Sequence, residues 1–453
     1  MARGKKKEKA LTPEEKLAQA LVPESEHPYK VPDNWCWTKG SAVFNDMETR
    51  KPEGEYFKYI DIDAIDNSTQ TVTEPKRIAV KDAPSRASRA VHYGDTVFSL
   101  VRPYLKNIAF IDETLKDCIA STGFFVCSPS PIIIPRYLYW LMTSSYVVEG
   151  LNQYMKGDNS PSIRKDDIDM FAYPVPPLAE QQRIVDRIES LFAKLDEAKE
   201  KSQSVLDSFE TRKAAILHKA FTGELTAKWR EEHGLGLEDW NHKRFDEVAK
   251  IKSNLVDPAE YQDFPHIAPD NIEKKTGVLL DYHTIAEDGV TSGKHRFYPG
   301  QILYSKIRPY LSKVVVVDFD GLCSADMYPI EAKQDPKCLW YYMLSEEFLE
   351  QASSAGSRSV LPKINQKELS GLMVNLPSSI AEQEELVQIL DNLFAKEQQA
   401  KDSAEAVLEQ IDLLKKSILA RAFRGELGTN DPTDEPAIEL LKRILQPLTP
   451  PPT

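Results

Sequence analysis

The feature that most limits what this chain can become is an internal repeat. Slid along itself by 202 positions without a gap, the segment at 179–225 matches 381–427 at 20 of 47 positions. "LFAK" recurs at 191 and 393, and "KAFTGEL" meets "RAFRGEL". Further upstream the echo is fainter: "YGDTVFSLVRPYLKNIAFID" at 93 answers "YPGQILYSKIRPYLSKVVVVD" at 298, with "RPYL" as the anchor. "CIAST" at 118 and "CSADM" at 323 follow in the same order, as do "SPSIRKDDI" at 160 and "VLPKINQKEL" at 360. A unit of this size, used twice, is a whole domain followed by a helix. A length of 453 residues also favours two domains over one core.

The most strongly repeated segments read as helices because apolar residues recur in steps of four and three. Ile184, Ile188, Leu191, Leu195, Val205 and Phe209 form one stripe, and Leu386, Leu390, Leu393, Val407, Ile411 and Leu414 form the other. Such a stripe is a coiled-coil seam. Pro176 and Pro177 precede the first helix and Pro377 the second, while Gly223 and Gly425 close them. At 1.5 Å per residue each rod is roughly 60 Å long. Short connections place the end of the first helix beside the start of the second, so the pair is expected to run antiparallel with one domain at each end. That pseudo-twofold arrangement suits two half-sites on the antiparallel strands of a duplex.

Composition narrows the function. A hydrophobic content of 41% with 28% charged residues describes a globular protein, and no apolar run is long enough to cross a bilayer. The opening "MARGKKKEKALTPEEK" lacks the apolar core of a secretory signal, so a cytoplasmic location without membrane contact is expected. Cys36, Cys118, Cys127, Cys323 and Cys338 form no CxxC pair and no histidine spacing supports a finger, so no metal is expected. A net charge of −13 argues against indiscriminate polyanion binding and leaves DNA contact to local patches.

Two such patches occupy equivalent places in the repeat. Residues 291–317 contain Lys294, His295, Arg296, Lys306, Arg308 and Lys313 without a carboxylate, and residues 83–111 hold Arg86, Arg89, His92, Arg102 and Lys106 against Asp95 alone. Tyr104 and Tyr310 are interleaved with them. Basic residues mixed with aromatic and polar ones can follow phosphates and reach base edges. The turn before each final strand adds Asn159, Ser160 and Arg164 in the first half and Ser357, Arg358 and Lys363 in the second. The plainer alternative is that such runs form solvated faces and the tyrosines pack.

Catalytic motifs are missing. "GVTSGK" from Gly289 is one spacing short of a phosphate-binding loop and lacks the hydroxyl residue after Lys294. "VPPL" at 175 is not the [DN]PP[YF] stretch of adenine methyltransferases, and Asp270 and Glu273 in "PDNIEKK" stand too close for a nuclease metal site. No nucleophile elbow or triad appears.

"PPLAEQQRIVDRIESLF" with its repeat, the helix-ending "AFTGELTAKWR" and "AFRGEL", and the paired "RPYL" stretches resemble, over nearly the whole chain, the specificity subunit (HsdS) of type I restriction-modification enzymes. The resemblance implies an α+β fold with two similar target-recognition domains, separated by a long antiparallel two-helix coiled coil. The expected layout is a tail with a short helix at 1–30, recognition domains at 31–177 and 233–378, spacer helices at 178–232 and 379–427, and a tail at 428–453. It further implies double-stranded DNA as the ligand, each domain reading half of a bipartite site while the helices fix the gap. Two methyltransferase (M) subunits and two restriction (R) subunits are the implied partners. They would carry S-adenosylmethionine, ATP and Mg, leaving no cofactor and no catalysis on this chain. One departure is "PSSIAEQEEL" in the second copy, where a proline is lost and carboxylates are gained. The alternatives are a nuclease or methyltransferase with a fused recognition region, or a coiled-coil scaffold with two protein-binding heads and no direct DNA contact. Thr12 with Glu15 has the form of a capping box, and "EPAIELLKRILQ" reads as a last short helix; both ends are expected near the first domain as part of a partner surface.

Overall fold

The computed structural model describes residues 11–355 and 362–446. The chain divides into two compact units, Met1–Glu200 with Val407–Thr453, and Lys201–Ala406.

In the first unit, the strand Cys36–Lys39 pairs antiparallel with Ala172–Val175, so the entrance and exit of the domain lie side by side. A three-stranded sheet orders Phe124–Cys127, Thr96–Ser99 and Ile108–Phe110, and a four-stranded sheet orders Lys76–Ala79, Tyr56–Ile60, Ile119–Ser121 and Ala87–Ala90. Tyr56–Ile60 and Ile119–Ser121 run parallel. The helices Pro135–Thr143 and Ser145–Asn152 bury Tyr137, Leu138, Leu141 and Val148 in a core shared with Phe98, Phe125 and Tyr173. The second unit repeats this scheme. Trp240–Arg244 pairs with Met373–Pro377, and a four-stranded sheet contains Ile302–Ser305 between Met327–Ala332 and Val314–Val316. In the five-stranded sheet Pro265–Ile267 again runs parallel to its neighbour, Gly321–Cys323.

The long helices differ from expectation in three respects. The segment 178–232 is not one helix: it runs Leu178–Asp207, resumes as Phe209–Phe221, and is followed by the separate helix Ala227–His233. At the first break the Ser208 hydroxyl donates to the Ser204 carbonyl at 2.7 Å and the Val205 carbonyl at 3.2 Å, the back-bonding by which serine bends a helix. Gly223, at φ +82°, ends the second piece in a left-handed turn that favours glycine. The C-terminal rod, predicted over 379–427, is unbroken from Ile380 to Ala422.

The seam also slips. Ile184, Ile188, Leu386, Leu390 and Ile411 are buried, and Leu191, Leu195, Val205, Phe209 and Leu393 are half-buried. Val407 and Leu414, however, are 38% and 47% exposed. Leu408 and Lys415, one position later, are the more covered residues. At the second of these positions the lysine ammonium is held over a ring and against an acid. In the first unit Lys415 Nζ sits 5.1 Å from the Phe192 ring and 2.5 Å from Asp196; in the second, Lys401 Nζ sits 5.2 Å from the Phe209 ring.

Within each unit, contacts between the helical segments run antiparallel. Asp196 meets Lys415 and Glu180 meets Thr429 in the first unit, while Arg212 meets Glu397 and Arg230 meets Glu382 in the second. The short helices Pro13–Ala20 and Ala437–Leu445 near the two ends of the chain both pack into the first unit. Pro13–Ala20 carries the predicted capping box, with the Glu15 amide donating to Thr12 Oγ1 at 3.2 Å. Ala20, Ala437 and Leu441 are buried in that unit's main core, because each short helix has one apolar face to hide.

Candidate nucleic-acid interface

The "RPYL" tetrapeptide builds the same turn twice. Arg102 (φ 49°) and Arg308 (φ 48°) adopt the left-handed conformation, Pro103–Leu105 and Pro309–Leu311 form one 3-10 turn each, and Lys106 and Ser312 close it at φ 56° and 45°. Non-glycine residues held this way cost on the order of 1–3 kcal/mol each and persist only where their surroundings enforce them. The restraint comes from the turn that precedes each domain's final strand. The Arg102 amide donates to the Pro161 carbonyl at 2.8 Å, and the Ile163 amide donates back to the Leu100 carbonyl at 3.0 Å. In the second unit the Arg308 amide donates to the Pro362 carbonyl at 2.7 Å and the Ile364 amide to the Lys306 carbonyl at 2.9 Å. Two stretches nearly sixty residues apart thus form one tip in each domain. Pro103 and Pro309 are buried beneath it, while Arg102, Arg308, Tyr104 and Tyr310 stand out, both tyrosines 46% exposed. Arg102 Nη2 donates to the Asn159 carbonyl at 2.8 Å, which orients the guanidinium without neutralising it.

The remaining candidates divide. Asn159, Ser160 and Arg164 are exposed in the segment that meets this tip, Arg86 is exposed immediately before the strand Ala87–Ala90, Lys106 is half-buried, and Arg89 is half-buried with its Nε lacking a partner. Lys294 is buried, its ammonium spent on the Ser292 carbonyl (3.1 Å) and hydroxyl (2.7 Å), and burial holds its pKa below the usual lysine range. Lys306 donates to the Ala325 carbonyl at 2.6 Å and Lys313 to the Pro269 carbonyl at 2.7 Å. Lys363 pairs with Asp326 at 3.3 Å. Arg296 is half-buried against aromatic rings. Ser357 and Arg358 lie outside the described residues.

The roles of four buried residues were not read from the sequence. Glu180 and Gln181, with Glu382 and Gln383, are fully or almost fully buried at the starts of the two long helices. Glu180 accepts from the Thr429 hydroxyl at 2.7 Å and from Arg183 at 2.9 Å, and burial raises its pKa. Glu382 accepts from the Thr226 hydroxyl at 2.7 Å, Arg230 at 2.8 Å and the Trp240 indole at 3.0 Å. Gln181 receives the Ile134 amide at 2.7 Å and donates to the Ile132 and Pro176 carbonyls at 2.8 and 2.9 Å. Gln383 receives the Asp335 amide at 3.2 Å and donates to the Gln334 side chain at 2.5 Å and the Pro377 carbonyl at 2.7 Å. The repeated "AEQ" therefore rivets each helix start to its own domain. The available signal was a carboxylate and an amide recurring side by side at the starts of both long helices. Among the described residues no group of three or more His, Cys, Asp or Glu is placed to hold a metal ion.

Residues 38–206 and 237–409 each match the type I restriction modification DNA specificity domain. The chain belongs to this specificity family. The specificity subunit of the type I restriction enzyme EcoDI from Escherichia coli is 40% identical over 319 residues, covering 66% of this chain and 71% of that one. The EcoKI specificity subunit from E. coli K12 is 24% identical over 67% and 68% of the two chains. Among solved structures, the HsdS subunit from Thermoanaerobacter tengcongensis superposes with a TM-score of 0.68 at 26% identity, covering 89% of this chain and all of that one. Two specificity domains in tandem, each followed by a long helix, are thus shared with that subunit.

Proposed function

We propose that each specificity domain of this chain reads one half of a bipartite, asymmetric DNA sequence through the tip formed by its "RPYL" turn, and that the long helices set the gap between the halves. The observation that carries this reading is the pair of exposed arginines, neither ion-paired with a carboxylate among the described residues, held in the same left-handed conformation in both domains. Strain stored identically at two surface sites is what a positioned contact requires and what a solvated face does not. Phosphate contacts from Arg102 and Arg308 would set register, and neighbouring side chains would reach base edges.

In this reading the chain is not an enzyme. It works in a complex with other restriction-modification subunits, with two M subunits supplying methyl transfer from S-adenosylmethionine and two R subunits supplying ATP- and Mg-dependent cleavage. No helix among the described residues is long and apolar enough to cross a membrane. Long-read sequencing of methylated adenines tests the proposal: a two-part motif is expected to vanish when this chain is deleted, and its persistence would refute the assignment. Inserting four residues midway through Ile380–Ala422 is expected to change the motif's gap or abolish recognition; an unaltered motif removes the ruler. A scaffold with protein-binding heads predicts instead that Arg102→Glu with Arg308→Glu leaves methylation intact.

A further inference from the structure

The five-stranded sheet of the second unit carries an unusual face. Side chains alternate along a strand, so while Ile267 and Phe297 enter the apolar core, His266 and Arg296 go to the opposite side. The register aligns them: His266 faces His283 on one neighbouring strand and Leu322 on the other, and Arg296 faces Leu322 from beyond. His266 is buried, with Nδ1 2.7 Å from Asp288 and Nε2 lacking a partner.

Arg296 is held by rings instead of acids. Its guanidinium carbon lies 4.9 Å from the Tyr298 ring centre, 5.3 Å from Tyr261 and 5.7 Å from Phe264. Its hydrogen bond to the Tyr261 hydroxyl is long, at 3.5 Å, and its Nε is buried without a partner. No carboxylate among the described residues forms an ion pair with it. A guanidinium has five donors in one plane, and leaving a buried one, here Nε, unpaired is costly unless a ligand completes it. Aromatic faces repay part of that cost and fix the plane of the fork. A planar fork fixed in advance is suited to the O6 and N7 acceptors of guanine, whereas a phosphate is reached by an exposed side chain on a positioned backbone, as at Arg308.

The first unit supplies a contrast at the same place. There Ala90 faces Ile119 as Arg296 faces Leu322, and Tyr59 stands where His266 does. The arginine is therefore a property of one domain and not of the shared scaffold.

We propose that Arg296 is a specificity-determining residue through which the second domain reads a guanine in its half of the target, an inference that rests on the recognition function proposed above. The test is the methylated-adenine motif of cells carrying the assembled complex with wild-type, Arg296→Lys or Arg296→Ala chains. Arg296→Lys keeps the charge and the ring contacts but loses the fork. It is expected to leave complex assembly intact and to relax one guanine of the motif, with discrimination there falling on the order of tenfold to a hundredfold. Arg296→Ala is expected to relax the same position. Should Arg296→Ala fail to fold, the lysine variant decides alone. An unchanged motif in the lysine variant, with or without weaker and less salt-dependent binding, assigns Arg296 to packing or phosphate and overturns the proposal; so does complete loss of methylation. If chain deletion leaves the motif methylated, the recognition function falls; if deletion removes it and Arg296→Lys does not alter it, only the Arg296 assignment falls.

Discussion

The two specificity domains agree at their tips and differ on one sheet face. The "RPYL" turns match within about ten degrees in φ at each left-handed position and expose their tyrosines equally. The sheet face that bears His266, His283 and Arg296 in the second domain is in the first a mainly apolar patch of Phe57, Tyr59, Ala87 and Ile119, in which the Tyr59 hydroxyl is also buried. Features built alike in both halves position the chain; features built differently can tell one half-site from another. A mainly apolar patch contributes burial, while an arginine fork and imidazoles contribute donors able to discriminate, at some cost in stability.

The largest contrast is expected at the helix anchors. Arg230 and Glu382 are both nearly inaccessible, so Glu382→Ala strands a buried guanidinium and should cost about 3–5 kcal/mol in chemical denaturation. Glu180→Ala should cost less, about 1–3 kcal/mol, because the Arg183 side chain is 38% exposed and keeps Asp434. Equal losses would mean that the two anchors are not energetically distinct. Gln181→Ala and Gln383→Ala each remove three hydrogen bonds of one buried amide and should cost about 1–3 kcal/mol apiece. Markedly unequal values would show that this rivet is not shared.

At the tips the expected effect moves from stability to DNA. Arg102→Gly and Arg308→Gly relieve left-handed backbone but loosen the unfolded chain, leaving stability within about 1 kcal/mol. DNA affinity should fall in both, with the salt slope smaller by about one. A loss confined to one variant would separate the tips functionally.

The smallest effect is a pH dependence of opposite sign in the two domains. Hydrogen bonds from His266, and then His283, hold the Asp288 carboxyl below its ordinary value of 3.8. Its contribution is complete above that value and is lost as pH falls through the lowered one. Burial raises Glu180 above 4.5, so its contribution is greatest below that value and declines as pH rises through the raised one. Asp288→Asn should flatten the acid-side decline of the second domain alone, measured as denaturation midpoints from pH 6 to 3.

Local signals carried much of this structure. The repeat, the long helices and their glycine stops, the Thr12 cap and the equivalence of the "RPYL" turns are properties of neighbouring residues or of the chain compared with itself, so sequence alone determined them. Partnership across the fold was decided only by tertiary structure. Lys294, Lys306 and Lys313 look like free cations in sequence and are bound to oxygens of Ser292, Ala325 and Pro269. Val407 and Leu414 look like seam residues and yield their places to Leu408 and Lys415; at the latter the ammonium lies over Phe192 and pairs with Asp196, which a polarity pattern does not register. Arg296 acquires its meaning from Tyr261 and Phe264, more than thirty positions upstream. A charge's role depends on which oxygens and rings surround it, and those neighbours come from distant segments that only the folded chain brings together.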